Sequence, residues 1–131
     1  MNVQKSRGYS WENEVTKNYN NSKYNGVKMN AKRLGERGQP DVLVVCKHMV
    51  VVVECKSTIR DNIYIYPKQL TILNGWSLLF TPQAQIHVAA KFMANKKHKL
   101  DKWYFQLNDL DINKTVKIRR DGIINIPATY L

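Results

Sequence analysis

The sequence predicts an α/β fold in which a mixed central β-sheet is flanked by helices. Three observations lead to this expectation: a helical apolar period near the N-terminus, two valine-rich runs in the middle of the chain, and a proline-initiated helix followed by further strand-like runs. At 131 residues the chain has the length of one domain with one core, so we expect a single domain over residues 1–131.

The N-terminal segment has the apolar spacing of a helix. Trp11, Val15 and Tyr19 recur every four positions, which predicts a helix over residues 8–20 with Glu12 beside its apolar face. Residues 27–33 then alternate between apolar and polar side chains. This alternation predicts a half-buried strand that ends in the glycine-containing loop KRLGERGQP.

The two valine-rich runs, residues 41–46 and 49–56, are separated only by Lys47-His48. Short β-branched runs with two polar residues between them predict an antiparallel hairpin. The second run is apolar without alternation, so it is expected to be a central strand covered on both faces. Cys46 and Cys55 lie within these runs and are interpreted as buried reduced thiols, with a disulfide between facing strands as the alternative.

The second half of the chain continues the α/β pattern. Pro67 suits the first turn of a helix, because its missing N–H would have no partner there. The expected elements are a helix continuing over residues 69–79, strands at 85–92 and 103–107, and strand-like residues from 115 with a turn at 121–122.

The charge of the chain indicates a polyanionic partner. There are 21 Lys and Arg residues against 10 Asp and Glu residues, a formal charge of +11. Residues 1–40, 41–66 and 67–131 carry net charges of +5, 0 and +6, so the acidic groups are concentrated in a neutral middle segment. A solvated basic surface without function is the alternative. No apolar stretch is long enough for a membrane span and no secretory signal is evident, so a cytoplasmic protein is expected.

Three charged residues lie at the ends of the predicted hairpin strands. Asp41 begins the first strand, while Glu54 and Lys56 end the second and share one face of it. Pairing of the strands would bring two carboxylates and an ammonium group together. Such a set can bind Mg²⁺ and hydrolyse phosphodiesters. The alternative, a surface Glu54–Lys56 pair, would contribute under ~1 kcal/mol and leaves Asp41 unexplained.

The order Pro-Asp, 12 residues, Glu-Xaa-Lys matches the signature of the PD-(D/E)XK nuclease superfamily, here RGQPD and VVECKST. The runs RGYSWENEV, PDVLVV, VVVVECKSTIRDNIYI and VAAKF also resemble archaeal Holliday junction resolvases, including those of archaeal viruses. This resemblance covers residues 5–92 and implies a restriction-endonuclease-like fold. The tail IRRDGIINIPATYL has no clear counterpart.

The resemblance implies a homodimer that binds four-way DNA junctions and nicks two opposing strands symmetrically with Mg²⁺, for which Mn²⁺ would substitute. Asp41 and Glu54 match the metal ligands and Lys56 matches the catalytic lysine. Glu12 matches a first-helix glutamate that completes the catalytic metal site, although without the family it would be only a solvated helix residue. Gln69 stands where other branches of the superfamily carry a site glutamine.

Basic residues near the predicted site in sequence are expected to contact DNA phosphates: Lys5, Arg7, Lys32, Arg33 and Arg37. Tyr64 and Tyr66 could stack on unpaired bases, but their strand spacing favours packing residues. Two other functions are left open by the residues. One is a PD-(D/E)XK repair or restriction-like nuclease, and the other is a basic protein that binds DNA without cutting it.

Overall fold

In the computed structural model, residues 3–20, 25–28 and 38–131 are described, and residues 3–9 and 25–28 by their backbone alone. The helices and strands in chain order are α1 (Val3–Asn20), β1 (Asn25–Lys28), β2 (Val42–Cys46), β3 (Met49–Thr58), β4 (Asn62–Ile65), α2 (Pro67–Leu78), β5 (Ala84–Phe92), β6 (Asp101–Leu107), β7 (Val116–Arg119) and β8 (Ala128–Tyr130).

The strands form a mixed sheet, as the sequence predicts. Six strands pair in the order β1-β2-β3-β5-β6-β8, and β4 pairs with β7 in a separate two-stranded ribbon. Strands β3 and β5 are parallel, and the other pairs are antiparallel. The connection from β3 to β5 runs through β4 and α2, the kind of crossover that parallel neighbours require.

Strand β3 lies in the middle of the sheet and is covered on both faces, which confirms the prediction. Val51, Val52 and Val53 are fully buried, and successive side chains enter different cores. Val51 and Val53 pack with Trp11 of α1, whereas Val52 packs with Leu70 of α2. Since neighbouring strand residues point to opposite faces, the two helices cover opposite sides of β3.

The predicted elements recur with changes at their ends. Helix α1 begins at Val3, five residues before the predicted start, and α2 begins at Pro67 as expected. The hairpin of β2 and β3 pairs Cys46 with Met49 around the predicted Lys47-His48 turn. Strand β1 covers Asn25–Lys28, and the remainder of the predicted strand at 29–33 lies outside the described residues.

Two expectations about side chains are wrong. Cys46 and Cys55 are free thiols, which excludes the disulfide, but each is only partly buried. Tyr64 and Tyr66 are not packing residues, because 42% and 56% of their surfaces are exposed. Strand β4 pairs with β7 in a ribbon that buries one face, with Ile63 and Ile65, and leaves the tyrosines on the other. The periodicity of a strand does not reveal which face will be covered.

A buried arginine fixes the loops that lead into β4 and out of β5. Arg120 is only 6% exposed, and its guanidinium donates to four backbone carbonyls and to the Asp61 carboxylate. The carbonyls belong to Ile59, Arg60, Met93 and Lys99, at 3.0 to 3.2 Å. A buried guanidinium with its donors satisfied stabilises such a loop arrangement, and the sequence had not singled this residue out.

No helix within the described ranges is long and apolar enough to cross a membrane.

Candidate active site

Asp41, Glu54 and Lys56 line one cleft of about 350 Å³ at the end of β3. The structure therefore brings together the three residues that the sequence singled out. The cleft is also lined by Gly38, Gln39, Cys55, Gln69 and Ile72. It lies between the start of β2, the end of β3 and the first turns of α2, so the hairpin and the helix jointly position its side chains.

Asp41 is held against β3 by its backbone and its side chain. Its N–H donates to the Val53 carbonyl at 3.2 Å, and its Oδ2 accepts the Cys55 N–H at 2.8 Å. Strand β2 begins only at Val42, one residue after Asp41. The Cys55 N–H of β3 therefore bonds to the Asp41 carboxylate instead of to a backbone carbonyl of β2. One oxygen of Asp41 is thereby anchored, which restricts the side chain to one orientation beside Glu54.

The ionised form of Glu54 is disfavoured by its surroundings in the cleft. Burial raises its pKa well above the usual value for a glutamate, and the charge and hydrogen bond of Asp41 raise it further. Lys56 lowers this pKa, while the charge of Glu12 raises it. Two carboxyl groups that cannot easily be ionised together favour either a shared proton or a bound cation between them.

Lys56 follows Glu54 by two residues and lies on the same face of β3. It is partly buried and lines the cleft with both carboxyl groups. Its ammonium group is the positive charge that partly offsets the paired carboxylates. An ammonium group in this place can donate hydrogen bonds to a water molecule or to a phosphate oxygen.

Glu12 of α1 acts on the cleft through its charge. It is partly buried on α1, and its charge raises the pKa of both Glu54 and the Cys55 thiol. Across residues 3–20, 25–28 and 38–131, however, no group of three His, Cys, Asp or Glu side chains is arranged to hold a metal ion. Asp41 and Glu54 are thus the pair that the structure places together.

The donor atoms of the cleft fit a hard divalent cation. Mg²⁺ is commonly held by one or two carboxylates, with water and substrate phosphate completing its shell. Asp41 and Glu54 supply the carboxylates. Gln39 adds a buried Oε1 that has no hydrogen-bond partner within the described part of the chain, and this residue also lines the cleft.

Gln39 and Gln69 are the cleft residues whose importance sequence reasoning missed or underrated. Gln39 precedes the Pro40-Asp41 pair, and that proximity was the available signal. Gln69 accepts the Tyr66 N–H through its Oε1 at 3.1 Å, in the first turn of α2. It therefore links the start of the helix to the wall of the cleft.

The five basic side chains that are predicted to contact DNA phosphates lie outside the described part of the structure. Lys5 and Arg7 belong to α1, but their side chains are outside the described part of the structure. Lys32, Arg33 and Arg37 lie outside the described residues altogether. Their roles stay predictions.

A family model described as archaeal Holliday junction resolvase (hjc) matches residues 3–127. The chain belongs to this family. It is a nuclease that resolves Holliday junctions, and junction DNA is its partner. The match extends well beyond residues 5–92 and includes residues 118–127 of the tail IRRDGIINIPATYL. The expectation that this tail has no clear family counterpart is therefore wrong for most of its length. The matched residues beyond 92 contain β6 and β7.

A solved structure supports the same fold. The resolvase is similar to Hjc of Archaeoglobus fulgidus, a Holliday junction resolvase from an archaeal hyperthermophile, with a TM-score of 0.65. The alignment covers 89% of this chain and 90% of that chain at 15% sequence identity. The predicted PD-(D/E)XK-type fold is confirmed. No curated protein sequence matches the chain at a significant level.

Proposed function

We propose that this resolvase cuts the phosphodiester backbone of four-way junctions at the cleft of Asp41, Glu54 and Lys56, within a single nuclease domain of residues 1–131. The observation that carries the assignment is the convergence of two mutually interacting carboxyl groups and an ammonium group in one cleft. Three charged side chains at the end of β3 do not contribute to the packing of the core. Their placement costs stability, because Glu54 is buried beside a second carboxylate.

Asp41 and Glu54 are the proposed metal ligands, and Glu12 is the proposed third member. When bound, Mg²⁺ would neutralise phosphate charge and lower the pKa of a coordinated water. The family has a metal-dependent fold, and the oxygen-rich donor set favours Mg²⁺, with Mn²⁺ able to substitute. The charge of Glu12 already acts on Glu54, which supports its place beside the pair.

Lys56 is the proposed catalytic lysine. From its place beside Glu54, its ammonium group donates hydrogen bonds that orient the attacking water and stabilise charge developing on the phosphate. Asp41, with one oxygen fixed by the Cys55 N–H, presents its carboxylate in a constant orientation. The chain's own contribution is therefore a preorganised set of charges around the scissile phosphate.

The resolvase is proposed to act as a homodimer that makes two symmetric nicks. A junction presents two equivalent strands, and a two-fold dimer presents two equivalent sites. Leu78 and Leu79, at the C-terminal end of α2, are 63% and 71% exposed. Large exposed apolar side chains of this kind support an association surface. Since the substrate is junction DNA, the proposed location is the cytoplasm.

Cleavage of a labelled four-way junction tests the active site. We expect Glu54→Ala and Lys56→Ala to reduce the cutting rate in Mg²⁺ by about 100-fold or more, and EDTA to abolish cutting by the wild type. Glu14→Ala and Lys47→Ala are the matched controls. Glu14 lies on the same helix as Glu12 in an ion pair with Lys102, and Lys47 lies in the turn at the other end of β3.

Paired nicks in opposing junction strands, with little cutting of a linear duplex, are the expected pattern for the wild type. Cutting by Glu54→Ala at the wild-type rate would refute the assignment of the active site to this cleft. Cutting by the wild type in EDTA would refute the metal dependence of cleavage. Sedimentation of the free protein measures its oligomeric state, for which a dimer is expected. A monomer on junction DNA would contradict the proposed pairing of sites.

A further inference from the structure

The ribbon of β4 and β7 has one buried apolar face and one outer face that carries aromatic and basic side chains. Its inner face is buried and consists of Ile63, Ile65, Val116 and Ile118. On its outer face, Tyr64 lies directly opposite Lys117 in the strand register. Residues opposite each other in antiparallel strands share a face, and Tyr66 continues the alternation two residues beyond Tyr64.

The two tyrosine rings form an exposed aromatic pair. Their centroids are 6.2 Å apart and their planes differ by 15°, so the rings are nearly parallel. They are 42% and 56% exposed, whereas Tyr19 and Tyr104 pack against other rings near α1. Leaving aromatic faces in water forgoes the free energy that their burial would give, which is common at surfaces that bind a partner.

The aromatic pair lies next to the active-site cleft. The Tyr66 N–H donates to Gln69 Oε1, and Gln69 lines the cleft together with Glu54 and Lys56. The backbone of Tyr66 is thus joined to a residue of the cleft wall by one hydrogen bond, at the start of α2. DNA held at the cleft therefore has the segment that carries the two tyrosines as a neighbour.

The charge beside the rings suits nucleic acid. Lys117 lies across the ribbon from Tyr64, and Arg119, two residues further along, is paired with Asp121 at 2.7 Å. A separate cleft of about 690 Å³ at that end of the ribbon mixes cations with the carboxylates of Asp61, Asp101 and Asp121. Those carboxylates make it a poor anion site, so the aromatic pair and Lys117 are the features that fit DNA.

We propose that Tyr64 and Tyr66 form a stacking platform for the bases that lose a stacking neighbour at the branch point of the junction, with Lys117 contacting the adjacent phosphate. The platform deepens the proposed function, on which it rests, by giving the same site a means to select branched DNA. Base stacking on aromatic side chains tolerates any sequence, as recognition of a branch requires. In a linear duplex the bases are stacked on one another and do not reach the rings.

Binding measured by fluorescence anisotropy in EDTA separates the platform from cleavage. Tyr64→Ala and Tyr66→Ala are expected to weaken binding of a four-way junction about 10-fold. Their affinity for a fully paired linear duplex should stay unchanged. Tyr64→Phe and Tyr66→Phe keep the ring and should bind the junction as the wild type does. Lys117→Ala should reduce the slope of log affinity against log salt by about 1 on the junction.

A second measurement observes the stacking itself. With 2-aminopurine at the branch point, wild-type binding should quench the fluorescence, and Tyr66→Ala should leave it bright. Junction binding by both alanine variants at wild-type affinity would overturn the platform, as would an equal loss on duplex and junction. Either result leaves the active site untouched, because that assignment depends on whether Glu54→Ala cuts. Failure of the platform and failure of the proposed function are therefore distinguishable.

Discussion

The carboxylate of Asp41 accepts the backbone N–H of Cys55, the residue between Glu54 and Lys56, at 2.8 Å. This bond joins the two halves of the motif, which are separated by 12 residues in sequence. Asp41 therefore has two tasks that different substitutions can separate. Its oxygen closes the end of the hairpin, and its charge belongs to the proposed metal site.

The variant Asp41→Asn should keep the stability of the fold but bind Mg²⁺ or Mn²⁺ much more weakly. The amide retains an oxygen for the Cys55 N–H but removes the charge, so we expect an unfolding free energy within about 1 kcal/mol of the wild type. Asp41→Ala removes the acceptor as well and should cost about 1–3 kcal/mol. Urea denaturation measures stability, and calorimetric titration with Mg²⁺ or Mn²⁺ measures binding. Equal metal binding by Asp41→Asn would contradict the assignment of this residue as a ligand.

Glu54→Gln should gain stability relative to the wild type as the pH rises. The raised pKa means that folded Glu54 stays protonated at pH values where the unfolded residue is ionised. Its contribution to stability is complete below about pH 4.5 and is lost as the pH rises through the folded pKa. Without metal, the difference in unfolding free energy between Glu54→Gln and the wild type is thus expected to be larger at pH 8 than at pH 5.

The matched control for this pH dependence is Glu14→Gln, whose carboxylate is ion-paired with Lys102 at the surface. Its stability difference from the wild type should vary much less with pH. Added Mg²⁺ should reduce the advantage of Glu54→Gln, since a cation stabilises the ionised pair only in the wild type. A difference that is constant from pH 5 to pH 8 would show that Glu54 is not strained by its neighbours.

His87 should make the fold less stable in mild acid. It is 3% exposed, and its Nδ1 and Nε2 lie 2.6 Å from the Tyr19 hydroxyl and 2.9 Å from Gln85 Oε1. Burial lowers its pKa to about 4, so between pH 6.5 and 4 the unfolded chain binds a proton that the folded chain does not. The contribution of His87 to stability should therefore fall by about 2 kcal/mol between pH 7 and pH 5.

Urea unfolding of the wild type and His87→Gln at both pH values isolates this contribution, because the other titrating groups are common to both proteins. The variant should lose less stability on acidification. Parallel losses in the two proteins would mean that protonation of His87 is not the cause.

Arg120→Ala should destabilise the resolvase far more than Arg119→Ala. The Arg120 guanidinium donates to four carbonyls and to Asp61 in partly buried hydrogen bonds, and its removal takes a donor from each of them, at a cost of about 3 kcal/mol or more. Arg119 is 53% exposed in a surface pair with Asp121, which typically contributes under about 1 kcal/mol. Thermal denaturation of both variants provides the comparison, and similar melting temperatures would contradict the structural role of Arg120.

Much of the fold could be predicted because its signals are local. The four-residue spacing of Trp11, Val15 and Tyr19, the uninterrupted valines of β3 and the helix start at Pro67 each depend on neighbours within a few positions. Such periodicities arise from the geometry of a single helix or strand. The start of α1 and the bounds of β1 were less well predicted, because polar residues there carry little periodic signal.

The candidate site could be predicted only in part. Asp41, Glu54 and Lys56 are tied together by a short hairpin, so their meeting follows from sequence once the hairpin is assumed. Gln39 had only its position before Pro40-Asp41 as a signal, and Arg120 had none. Gln39 matters because its amide oxygen is buried without a hydrogen-bond partner in the described structure. Arg120 matters because it donates to carbonyls of loops about 20 and 60 residues away in the chain.

By itself, the sequence determined the α/β elements, the basic charge and the motif that links Asp41 to Glu54 and Lys56. Only the tertiary structure decided that Asp41 raises the pKa of Glu54, that the charge of Glu12 acts on Glu54, and that Tyr64 and Tyr66 face solvent. The physical reason is that alternation along a strand shows that its two faces differ. What covers each face depends on partners far away in the chain, such as β7 for β4.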